Sequence, residues 1–181
     1  MKKLITTFLF LFICSNVSNA QEYMSESGTA IFHSQVPLHS FTGSSDFLTG
    51  LVNLEDGTID FYLDLTTLDT GIQKRDRDMK ETLETGKFPF AEFFGSLSTD
   101  FNPNDTSEQP VKVKGDFKIH GVSREVTIDG TLQMKPEGLL VTANWVLELE
   151  DYDIVPPSLL FVKVDQEQKI EIEALLKPTN N

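Results

Sequence analysis

The chain has 181 residues, a net charge of −13, three histidines and a single cysteine, Cys14. So acidic a balance repels phosphate backbones, which excludes nucleic acid as a partner. One cysteine can make no intrachain disulfide, so hydrophobic packing must hold the fold.

The chain opens with Lys2 and Lys3, then an almost wholly apolar stretch from Leu4 to Val17 and the small-residue exit Ser18-Asn19-Ala20. This layout predicts a secretory leader over 1–20, too short to span a bilayer as an ordinary transmembrane helix. Cleavage near Ala20 would leave one domain, 21–181, in a periplasmic or secreted location and without any cysteine.

Ile31, His33 and Gln35 alternate with Phe32, Ser34 and Val36 in a first strand that ends near Pro37. Phe41–Phe47 and Gly50–Leu54 read as two further strands, and Asp56-Gly57 is a turn signal. Ile59-x-Phe61-x-Leu63-x-Leu65 follows with strict period two. The alternation then breaks. Charges crowd into 74–84, with Met79 and Leu83 at i, i+4, and this predicts a short helical insertion. Phe90–Leu97 resumes the strand pattern. The polar loop from Asp100 to Glu108 starts like a calcium loop but has Asp105 and Val111 where Gly and Glu are needed, so it is an exposed turn. Three regular strands then run over Val111–Ile119, Val126–Met134 and Leu139–Leu149, and a last one over Ile170–Leu176. Strands of this length joined by short turns favour closure into a barrel, which removes exposed edges. The fold class is mainly β: one eight-stranded antiparallel barrel with a helical insertion.

Catalysis finds little support. His33, His39 and His120 form no metal-ligand spacing, and Gly43-Ser44-Ser45-Asp46 lacks the nucleophile elbow of a serine hydrolase. His120-Gly121 reads as a turn, and Asp76 and Asp78 as helix-start and surface residues. Among the polar groups, Asp151, Asp153 and His120 are the candidates that an enzyme acting on lipid would need to gather. No enzymatic activity, cofactor or metal is expected.

Four separated motifs carry a resemblance. They are Leu68-Asp69-Thr70-Gly71 with Arg75-Asp76 and Met79; Lys87-Phe88-Pro89 leading to Phe93-x-Gly95; Val113-x-Gly115-x-Phe117-x-Ile119-His120-Gly121-Val122; and Asp151-Tyr152-x-Ile154 with Pro156-Pro157. Together they resemble the YceI-like family of lipid- and polyisoprenoid-binding proteins, in that family's order. Asp78 departs from the pattern, standing where many relatives carry histidine. The resemblance implies a lipocalin-like barrel holding an isoprenoid lipid such as a quinone or polyprenyl compound, with transient membrane contact as it is exchanged. Alternation alone places Phe61, Leu63, Phe93, Phe117, Ile119, Val126, Ile128, Trp145, Leu147, Ile170 and Ile172 on the inward, lipid-binding face. The same rows could instead fill a solid core, which would leave a secreted interaction module without a lipid ligand.

Overall fold

The computed structural model describes residues 22–36, 39–156, 158–159 and 162–179. The leader expected over 1–20 lies outside them. Seven strands run in chain order as an antiparallel meander: β1 Glu22–Val36, β2 His39–Asn53, β3 Thr58–Asp64, β4 Phe90–Leu97, β5 Gln109–Ile119, β6 Val122–Lys135 and β7 Gly138–Glu148. A hairpin of two-residue strands, β8 Ser158–Leu159 and β9 Val162–Lys163, interrupts the series before β10 Glu167–Pro178. β10 pairs with both β7 and β1, so β1–β7 and β10 make a closed eight-stranded barrel. The helical insertion is α1, Gln73–Thr82, between β3 and β4.

One expectation needs correction. The two strands predicted over Phe41–Phe47 and Gly50–Leu54 are one strand, β2. The apparent break is a bulge: Ala30 faces Ser45 and Gly28 faces Leu48, so β2 spends three residues where β1 spends two. Inward positions then switch from Gly43 and Ser45 to Leu48 and Gly50, and Asp46 and Phe47 both point out. A second bulge, in β1 between Ser25 and Gly28, compensates. Each is satisfied locally. The Ser45 hydroxyl accepts from the Phe47 amide at 3.2 Å, and that of Ser25 accepts from the Ser27 amide at 3.3 Å. A bulge reverses the side-chain phase, which is why alternation hid the first half of β1 and split β2.

The two ends of the barrel differ. At one end Val52, Leu132, Leu139 and Leu176 are essentially inaccessible and form a packed plug. Burying four such aliphatic side chains contributes on the order of 2 kcal/mol each. The opposite end carries the connection 65–89, which contains α1; the two-residue β5–β6 turn; and the β7–β10 connector with β8 and β9.

Candidate functional site

The inward rows do not meet in the middle. They enclose a cavity of about 490 Å³ that runs from above the plug to the underside of α1 and the β7–β10 connector. Ten of the eleven residues predicted from alternation line it. Phe61 and Leu63 come from β3, Phe93 from β4, Phe117 and Ile119 from β5, and Ile128 from β6. Trp145 and Leu147 come from β7, and Ile170 and Ile172 from β10. Val126 does not line it; it sits directly opposite Gly115 and packs onto the surrounding core. The wall is almost entirely hydrocarbon, and Phe117 meets Trp145 edge-to-face at 5.8 Å.

Glycines shape this wall. Gly43 pairs with Phe32 and Gly50 with Phe61, and a Cβ at either glycine would fall 2.2–2.3 Å from the partner ring. Each ring therefore lies flat across a bare strand rather than reaching to the middle of the lumen. Volume that the phenylalanines would otherwise occupy stays empty.

Alternation could not show the mouth. Ile72, Arg75, Met79 and Leu83 reach the cavity from α1 or its flanks, and Ile154 and Pro156 reach it from the β7–β10 connector. No residue of α1 is fully buried. Met79, with Leu83 at the C-terminal cap, lines the cavity and packs half-buried against the core around it. The helix is tethered at its start. Asp69 exchanges two backbone hydrogen bonds of 2.9 Å with Ser44 of β2. Asp76 accepts from the Thr70 amide at 2.8 Å and the Thr70 hydroxyl at 2.5 Å. These bonds, the hydroxyl first, hold the Asp76 carboxyl below its ordinary pKa. Gly71 adopts φ +76°, a conformation open to glycine, to turn the chain into the helix. The Arg75 guanidinium lies 4.3 Å over the Phe41 ring, and Lys74 pairs with Asp78 at 2.5 Å. The charged residues at the cavity are thus Lys74, Arg75 and Asp78 of α1 and Glu92 of β4, which pairs with Lys118; none stands on the inward rows.

The remaining motifs stitch the same end together. His120 and Gly121, with φ of +54° and +79°, form the two-residue turn between β5 and β6. Phe88 packs on the His120 ring at 5.1 Å, while His120 Nδ1 lies 3.1 Å from the Tyr152 carbonyl. Asp151 pairs with Arg124 at 3.3 Å. His120 therefore bridges the second motif to the fourth as a structural link. Among the described residues, no three histidine, cysteine, aspartate or glutamate side chains are placed to hold a metal ion.

Comparison with known proteins agrees with this architecture. The family model of the YceI-like domain matches residues 19–176. The chain belongs to the YceI-like family. A UPF0312 protein of Vibrio parahaemolyticus is 28% identical over 138 residues, 72% of this chain and 70% of that protein. Among solved structures, a polyisoprenoid-binding domain from Saccharophagus degradans, implicated in plant cell wall breakdown, superposes with TM-score 0.74. The identity is 15%, with 89% of this chain and 100% of that one covered. BcnA of Burkholderia cenocepacia superposes with TM-score 0.68 at 13% identity, covering 84% and 96%. At such identities the likeness establishes the barrel; the function of this YceI-like chain has to be argued from its own cavity.

Proposed function

We propose that this YceI-like protein carries or stores a long apolar lipid, of isoprenoid type, inside its barrel and exchanges it with membranes. The supporting observation is the cavity itself: about 490 Å³, walled by hydrocarbon, within the range of small-molecule sites. A filled interaction module would have no reason to keep that space empty, since each void forfeits packing energy.

Magnitudes favour exchange over permanent capture. Moving one isoprene unit from water into an apolar interior is worth about 3–4 kcal/mol, so eight units would formally pass the practical affinity ceiling. The free lipid, however, resides in a bilayer, and transfer from there to the barrel is nearly neutral. A carrier of this kind needs contact with the membrane, and the mouth end exposes apolar Ile72 and Val155. The outer wall is suited to water, being laced with exposed pairs such as Lys118–Glu92 at 2.7 Å and Lys114–Glu125 at 2.9 Å. The reading includes export from the cytoplasm by the leader over 1–20, and binding without catalysis. Mass spectrometry of lipids extracted from natively purified protein tests it. A stoichiometric isoprenoid or similar apolar lipid is expected, and protein that is always empty contradicts it.

A further inference from the structure

The apolar wall has one polar spot that the fold itself does not use. Ser34 of β1 is 1% exposed and lines the cavity, yet its hydroxyl has no hydrogen-bond partner among the described residues. Leaving a buried hydroxyl unsatisfied is costly, so native structures rarely keep one without a purpose. The other inward serines differ: Ser25 and Ser45 spend their hydroxyls on the two bulges. The β1–β10 ladder ends at His33 and Lys169, and Ser34 and Gln168 are the residues that follow this last rung on the two strands. Gln168 is 6% exposed and lines the same cavity. Its Nε2 donates to the Asp165 carbonyl at 2.7 Å, and the Asp165 amide is in turn anchored to the Gln35 carbonyl at 2.9 Å. The amide is therefore held in place, and among the described residues no partner takes its second N–H or its oxygen.

We propose that Ser34 and Gln168 form a head-group site for an uncharged oxygen function, a hydroxyl or a carbonyl, at the end of the apolar chain that the barrel holds. The site rests on the lipid-carrier reading and assigns the polar end of that lipid. A phosphate head fits it poorly, because no cation stands on the inward rows and burying an unpaired anion is far costlier than burying a neutral oxygen. The cations that reach the cavity belong to the lid: Lys74 is paired with Asp78, and Arg75 is stacked on Phe41. A neutral oxygen satisfies the Ser34 hydroxyl and leaves the tail along the rows that descend to the plug.

The test is a competition. Delipidated protein is offered, in detergent and at equal concentrations, a polyprenol, a prenylquinone, the matching polyprenyl phosphate and an isoprenoid hydrocarbon, and retained lipid is counted by mass spectrometry. Retention of the alcohol or the quinone about tenfold above both the hydrocarbon and the phosphate is expected, and the arm that wins says whether the oxygen donates or only accepts. Ser34→Ala should remove most of that preference while leaving hydrocarbon retention unchanged. It should raise or leave undiminished the melting temperature of the delipidated protein, since it removes a buried hydroxyl that has no partner among the described residues. Gln168→Met, close in volume, should weaken it similarly. An unchanged preference in both variants overturns the site. So does best retention of the phosphate, abolished by Arg75→Gln. Failure to retain any of the four, the hydrocarbon included, overturns the carrier reading along with the site, whereas equal retention of all four overturns the site alone.

Discussion

Gly50 and Asp76 show how single positions serve the cavity. Gly50→Ala would place a methyl group 2.2 Å from the Phe61 ring and drive the ring toward the lumen. Overpacking of this kind costs about 1–3 kcal/mol. A lower denaturation midpoint, accompanied by a reduced lipid load, is the expected result of denaturant titration and lipid counting on the same variant. Asp76 acts at the lid. Its folded-state pKa is depressed by the bonds from Thr70, so its tether is present above the ordinary carboxylate pKa of about 4 and is lost as pH falls through the depressed value. The protection factor of the Thr70 amide, its exchange rate relative to the intrinsic rate at the same pH, should therefore fall on acidification. In Asp76→Ala it should be low at every pH. The polar lumen residues were the hardest to read in the sequence. Ser34 and Gln168 occupy inward phases, but a polar residue in such a phase looks like any outward one until the neighbouring strands are in place.

Among elements, β3 and β4 were legible almost to the residue, because each is short, free of bulges and bounded by strong turn signals. β1 and β2 were not, because paired bulges reverse their phase midway. The helix showed itself by the loss of alternation, but its role did not, since Met79 and Leu83, half-buried against the core, also line the cavity. An element with no fully buried residue opens at a fraction of the global unfolding free energy. α1 is thus suited to act as the lid. Truncating Met79 and Leu83 together to alanine should speed lipid release to acceptor vesicles about tenfold, with little change in melting temperature. Stopped-flow transfer of a fluorescent lipid reads the rate. A large drop in stability instead would mark α1 as part of the load-carrying core.

For the molecule as a whole, the division of labour runs along the barrel axis. One end is packed solid around Val52, Leu139 and Leu176, and so can bear the cost of a hollow middle. At the other end the second, third and fourth sequence motifs are joined, Phe88 to His120 and His120 to Tyr152, while the first closes on itself through Thr70 and Asp76. Ten of the eleven residues read as inward do line the hollow. That the hollow exists at all was not legible, because alternation gives the direction of a side chain and not the radius at which opposite walls meet. The chain's single tryptophan, Trp145, lies on the cavity wall and reports on its contents directly. A long-chain isoprenoid carrying bromine along its tail quenches indole emission only on contact, and vesicles can deliver it to delipidated protein. Quenching that saturates at one lipid per protein, and is reversed by unlabelled lipid, is the predicted result. Trp145 emission that stays constant through the titration would show that no chain enters the barrel.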